Sequence, residues 1–288
     1  MNFFVTTDMT AEFPAPFFEE DFSVVNMSYF LDGKVFDGES SPYLPFDEFY
    51  ARLRSGAKSM TSMVTVEQAL AFFRPLLQAE KDILHVSFAS ALSGSYKSFL
   101  SARETLAKEF PERKFFVVDS KCAGLGEGML VYYVLKHRRE GKTIDECLNY
   151  AENLKGHINH VFTVDDIFHL LRGGRVSRGA AILGTAIQLK PVLTVDKDGN
   201  LTPLTKKIGK RVALREMAEI MQKKLAGHQN EIVMISHGNA PEDAALLSKR
   251  ITEKTGIQNI YIQTAGPIIG SHVGAGMVSL FFVGAIRE

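Results

Sequence analysis

A chain of 288 residues with 45% hydrophobic and 23% charged side chains has an ordinary globular balance and enough apolar material for roughly two domains. Lys plus Arg and Asp plus Glu number 33 each, and a formal charge of zero excludes the cationic excess that bulk binding to nucleic acid requires. The opening residues carry no basic targeting segment and the longest apolar stretch, residues 277–286, is too short to span a bilayer, so a soluble, cytoplasmic protein is expected.

Along the first half, short apolar runs alternate with helical patterns. Residues 2–7 and 23–30 read as strands and 46–54 as a short helix. Thr65 with Gln68 forms a capping-box pattern opening a helix that runs to about residue 79. A strand at 83–87, a helix at 96–108, a strand at 114–119 and helices at 127–139 and 144–155 follow. Strands separated by helices of this length imply βαβ units and a parallel sheet.

The second half opens with a strand at 158–164 and a short helix at 166–171. Two strands, 189–195 and 201–206, then flank Asp196-Lys197-Asp198-Gly199-Asn200, a hairpin signal centred on Asp-Gly. Helices at 210–225 and 241–254 and strands at 232–236, 257–264 and 277–283 complete the chain. The expected fold class is α/β with two lobes: an N-terminal parallel sheet with flanking helices in residues 1–156, and a C-terminal α/β domain with a mixed sheet in 157–288. A ligand crevice is expected between them.

Three Ser/Thr/Gly clusters sit at strand-to-helix junctions: residues 61–65, 87–95 and 119–124. In a parallel sheet such junctions lie at the carboxyl edge, where open α/β folds bind ligands, and helix starts favour an anion there. The hydroxyls of Thr61, Ser62, Ser93 and Ser95 can donate to a carboxylate without adding charge, although each reads equally as a cap for its own helix. Further on, Arg172, Arg175 and Arg178 surround a Gly pair, in a segment suited either to forking an anion or to closing a helix. Residues 266–276 form a glycine-dense stretch, read as a loop, with His272 inside it.

No G-x-S-x-G elbow and no Walker A pattern occur, and Gly124-Leu125-Gly126-Glu127-Gly128 departs from a dinucleotide fingerprint at Met129. The eight histidines show no metal-binding spacing, so neither a metal nor a cofactor is expected. Cys122 and Cys147 are too few for a disulfide framework and are expected as reduced packing residues. Twenty-one Phe and no Trp give an interior of apolar bulk with few polar handles, as suits a plain core or a pocket for an alkyl chain.

The ordered motifs resemble those of one family. Thr7-Asp8-Met9-Thr10-Ala11 is similar to the T-D-S-T-A opening of DegV proteins, Thr61-Ser62 to the start of their T-S-Q-P-S segment, and Leu92-Ser93-Gly94-Ser95-Tyr96 to their L-S-G-T-Y turn. Asp119-Ser120-Lys121, Gly173-Gly174-Arg175-Val176-Ser177, Leu189-Lys190-Pro191-Val192-Leu193 and Gly266-Pro267-Ile268-Ile269-Gly270-Ser271-His272 match D-S-K, G-G-R-I-S, L-K-P-I-L and G-P-V-I-G-T-H in turn. The chain thus resembles, nearly end to end, the DegV family of bacterial lipid-binding proteins, which includes the FakB-type subunits of fatty acid kinase. Met63 and Val64 stand where that family usually has Gln and Pro, Ser95 where it has Thr, and Ala275 where Pro is common.

The resemblance implies a non-catalytic subunit whose apolar tunnel encloses one long-chain fatty acid. It places the carboxylate at Thr61, Ser62, Ser93 and Gly94, with His272 and Arg175 in the surrounding network, and a docking face at Arg172, Arg175 and Arg178. The implied partners are the fatty acid, an ATP-dependent fatty acid kinase subunit that makes the acyl phosphate for phospholipid synthesis, and, transiently, a membrane; nucleic acid is not among them. The competing expectation is a serine-dependent acyl hydrolase using Ser93 and His272.

Overall fold

A computed structural model describes residues 3–18, 21–176 and 189–288. Four strands, β1 (Phe3–Asp8), β2 (Phe22–Val25), β6 (Asp82–Ser87) and β7 (Phe115–Asp119), form an all-parallel sheet in the order β2-β1-β6-β7. Its strands are apolar on both faces, as a sheet covered on two sides requires. Ile83 and Phe115 pack with the helices Val66–Gln78 and Ser95–Glu109, while Leu84, Val86 and Val118 pack with the helices Leu125–Arg139 and Ile144–Leu154. The capping box at Thr65 and Gln68 is present in full.

The run expected as one strand over 23–30 is broken in two. The chain leaves β2 at Val25 and enters β3 (Tyr29–Leu31), which belongs to a small antiparallel sheet with β4 (Lys34–Phe36) and β5 (Ser59–Thr61). Between β3 and β4, Asp32 and Gly33 both take positive φ, 50° and 79°, the backbone of a two-residue hairpin turn.

Six strands form the second large sheet, in the order β10-β9-β8-β13-β11-β12: β8 (Ile158–Thr163), β9 (Leu189–Val195), β10 (Leu201–Ile208), β11 (Val233–His237), β12 (Ile260–Thr264) and β13 (Val278–Val283). Only β11 and β12 pair in parallel, so the sheet is mixed, and the expected hairpin joins β9 to β10. One face carries Val161, Ile235, Val278 and Leu280 against the helices Lys210–Lys224 and Pro241–Thr255. The other face looks toward the carboxyl edge of the parallel sheet.

The glycine-dense segment at 266–276 is not the loop expected. Pro267 starts a helix, Pro267–Val273, at the position where its missing N–H costs nothing, and Ile268, Ser271 and Val273 are buried along it. Several long-range bonds tie the two sheets' surroundings together. Tyr50 donates to the Ala265 carbonyl (3.0 Å), and Arg287 donates to the carbonyls of Lys121 (2.6 Å) and Lys155 (2.9 Å).

Candidate functional site

Between the two large sheets lies a hollow of about 840 Å³ of non-atom space, its mouth included. Phe88, Leu92, Ser93, Ala123 and Gly124 reach it from the loops after β6 and β7. Ile268, Ile269, His272 and Val273 line it along one side of the 267–273 helix. The six-stranded sheet contributes a face, and register explains which residues appear. Ser279 on β13 stands between Ser236 on β11 and Phe162 on β8, and two residues on, Phe281 stands beside His160, so these side chains share one surface. The resulting wall is mostly apolar.

At one end the apolar lining stops at a polar group of five residues, Thr61, Ser62, Ser93, Arg175 and His272. Thr61, the last residue of β5, pairs with His272 Nε2 at 2.8 Å, and Ser59 pairs with Ser271 at 2.6 Å, so alternate residues of β5 are stitched to the 267–273 helix. Burial, and then the Arg175 guanidinium, push His272 down to about 4; it is a neutral imidazole at physiological pH. Ser93 donates to Ser95 Oγ (3.0 Å), which in turn accepts from the Val64 N–H (3.0 Å). Gly94 is the N-cap of the 95–109 helix and offers it no side chain; the Ser93 hydroxyl accepts from the Ser95 N–H (3.2 Å) and the Gly94 carbonyl from the Lys97 N–H (3.0 Å). Arg175 donates to the carbonyls of Leu92 (3.1 Å) and Gly173 and so is held across the mouth.

Outside this group opens a second, wetter hollow of about 1370 Å³, which shares Thr61, Arg175 and His272 with the first and adds Lys58, His169 and Arg172. Arg172 is exposed and loosely paired with Asp166 at 3.5 Å. Arg178 lies outside the described residues.

The hollow brings Thr61, Ser62, Ser93, Arg175 and His272 together, with one correction of place. Thr61 and Ser62 are not on the carboxyl edge of the parallel sheet; Thr61 ends β5 of the small antiparallel sheet, Ser62 follows it, and both line the hollow with Ser93. For the hydrolase alternative the relevant geometry is that His272 pairs with Thr61 (2.8 Å) and the Ser93 hydroxyl donates to Ser95 (3.0 Å). Cys122 and Cys147 are both free and buried, and burial pushes the Cys122 thiol up to about 12, so it is packing material rather than a nucleophile. Among the described residues no group of His, Cys, Asp or Glu is arranged to hold a metal, and no helix is long and apolar enough to cross a membrane.

The model of the family described as "Uncharacterised protein, DegV family" matches residues 2–285. The chain belongs to the DegV family. It is similar to a DegV domain-containing protein of Clostridium perfringens, 34% identical over 288 residues, covering 100% of this chain and 99% of that one. Among solved structures it is similar to the fatty acid binding DegV family protein of Streptococcus agalactiae (TM-score 0.87, 25% identity, 99% of each chain). It also shares the fold of the fatty acid kinase B3 protein of Streptococcus pneumoniae loaded with linoleic acid (TM-score 0.86, 19% identity, 98% of this chain and 99% of that one).

The DegV opening motif has a structural job here. Asp8 caps the turn Met9–Ala11 by accepting from the Thr10 N–H (2.9 Å), while Thr7 and Thr10 donate to Glu127 at 2.9 Å each. Burial raises the carboxyls of Asp8 and Glu127, the latter strongly, with Asp8 adding to it. Three further residues escape a local reading. Ser236, Ser279 and His160 line the hollow, yet nothing in their own segments marks them; only the strand register brings them together. Glu12, at φ 51°, accepts from the Gly266 N–H (2.6 Å) and stands beside Ser236, so it holds the start of the helix that carries His272. Met63, the departure from the family pattern, lies over Gly94 at the head of the hollow, half exposed.

Proposed function

We propose that this protein binds a long-chain fatty acid in the inner hollow, with the carboxylate at Thr61, Ser62, Ser93, Gly94 and His272, and presents it to a separate ATP-dependent fatty acid kinase subunit. The observation that carries this reading is the continuity of the two hollows. An apolar channel runs into uncharged donors, and these open directly onto a space edged by Lys58, Arg172 and Arg175. An alkyl chain gains about 0.8 kcal/mol for each CH₂ removed from water, so the tail favours the inner hollow. The carboxylate meets hydroxyls, a neutral imidazole and a helix start at its end of the channel, and Arg175 supplies the countercharge. The S. agalactiae relative, a fatty acid binder at 25% identity, supports the same ligand class.

In this reading the kinase brings ATP to the outer space, the carboxylate oxygen attacks the terminal phosphorus, and ADP leaves. Arg172 and Arg175 steady the docked partner or the phosphoryl group, and the acyl phosphate feeds phospholipid synthesis. Mass spectrometry of an organic extract of the purified protein tests the ligand: one equivalent of fatty acid is expected, and a lipid-free protein that takes up none overturns the proposal. Arg175→Glu is expected to abolish acyl phosphate formation with the kinase present; normal turnover removes Arg175 from this role.

A further inference from the structure

Away from the head group the inner wall is mostly apolar, and its polar side chains are Thr10, His160 and a pair of serines. Ser236 and Ser279 are opposed across the β11–β13 ladder and both line the hollow, which puts their Cβ atoms about 5 Å apart on one surface. Both are buried. Neither hydroxyl is fully used. Ser236 stands beside the Glu12 carboxyl, and a hydroxyl has three hydrogen-bonding sites, more than that one neighbour can fill. Ser279 donates only to the thioether of Met277 (2.8 Å), a weak acceptor from which a better oxygen readily draws the proton.

Their distance from the head group follows from the helix that lines the channel. Ser236 pairs with Gln263 on β12, the strand that leads through Ala265 into the 267–273 helix, so the serine pair lies toward the start of that helix, whereas His272 lies near its end. Six residues of α-helix separate those points by about 9 Å at 1.5 Å per residue. An acyl chain held by its carboxylate at His272 therefore passes Ser236 and Ser279 several methylenes along, in mid-chain. A plain CH₂ there leaves two buried hydroxyls facing hydrocarbon, whereas a group that both donates and accepts satisfies them.

We infer that this serine pair is a second polar subsite, one that takes a hydroxyl carried in the middle of a long-chain fatty acid. The inference rests on the fatty acid reading above and deepens it by naming the class of tail. A hydroxyl accepts from Ser279 and donates to the free lone pair of Ser236; a carboxylate or phosphate at the same place is disfavoured by the lack of a lining cation there among the described residues.

The test is a calorimetric comparison of stearic acid with hydroxystearic acids whose hydroxyl steps from the seventh to the twelfth carbon, using the full chain stripped of lipid. One position is expected to bind about tenfold tighter than stearic acid, the worth of one or two neutral hydrogen bonds. Ser236→Ala/Ser279→Ala is expected to erase that preference while keeping stearic acid binding. Ser279→Ala alone, which touches only a thioether, serves if the double variant does not fold, with a several-fold loss of preference expected. Equal binding of every isomer and stearic acid overturns the inference and leaves the fatty acid reading standing, and so does a preference that survives in the variants. Failure of stearic acid and all its hydroxy forms to bind overturns both.

Discussion

The parallel sheet reaches the hollow only through its carboxyl edge, where Phe88, Leu92 and Ser93 follow β6 and Ala123 and Gly124 follow β7. The six-stranded sheet meets the same hollow with a broad face bearing Phe162, Ser236, Ser279 and Phe281. An edge is made of loops and helix starts, so it offers N–H groups and hydroxyls in many directions, as recognition of a charged group needs. A face repeats every second residue and offers a flat apolar wall, as an alkyl chain needs. In the function proposed above the work divides accordingly: the edge and the β5–helix stitch hold the acid head, and the face buries the tail.

Charging the face is expected to have the largest effect. Leu201→Glu, on β10 where the side chain lines the hollow, introduces an unpaired carboxylate beside the tail; a drop in fatty acid affinity of about hundredfold or more follows from the cost of burying it. Titration calorimetry with a circular dichroism check on folding decides this, and unchanged affinity breaks the assignment of the wall to the tail. On the edge side, Thr61→Val with Ser93→Ala removes two donors to the head group, and the dissociation constant is expected to rise about ten- to hundredfold, since bonds to a charged acceptor are the stronger kind. A rise for the methyl ester equal to that for the free acid shows the pair to be ordinary packing.

The joint between edge and face is Gly126, where a Cβ would collide with the imidazole of His160. Gly126→Ala is expected to destabilise the fold by about 1–3 kcal/mol, as overpacking of a close contact does. Chemical denaturation measures it, and an unchanged midpoint means that the ring moves aside freely.

A further effect is a slope. Burial raises the Glu12 carboxyl from an ordinary 4.5 to about 8, so the folded protein keeps a proton that the unfolded chain has released. Its contribution to stability is full below pH 4.5 and declines as the pH rises to about 8. Glu12→Gln is expected to flatten that part of the profile of Tm against pH. Parallel profiles in wild type and variant show that Glu12 is not held as a neutral acid.

How much of this could be read from residues alone depended on range. The capping box of Thr65 and Gln68 and the Asp196–Asn200 hairpin are local devices, and both stand where expected. The small sheet went unread because three-residue strands carry too little periodicity, although Asp32-Gly33 is the same turn signal recognised at Asp198-Gly199. The 267–273 helix was hidden by its glycines, which signal a loop until packing is known. Local chemistry offers Thr61 and Ser93 equally as anion donors and as caps and marks His272 only as a histidine in a glycine-dense stretch; the family motifs are what join the three into one site. Ser236, Ser279 and Glu12 depend on partners far away in the chain, and no local pattern encodes a strand register or a bond from Glu12 to Gly266.

A hollow walled by two sheets makes its occupant a structural component as much as a cargo. An acyl chain lodged between Phe162, Phe281 and Ile269 stands among them as core side chains do, and binding to the folded state alone raises stability by mass action. With the proposed ligand bound, the melting temperature works as a gauge of the free acid around the protein. In a cell that degrades loosely folded chains, the amount of protein that survives would then follow the supply of that acid.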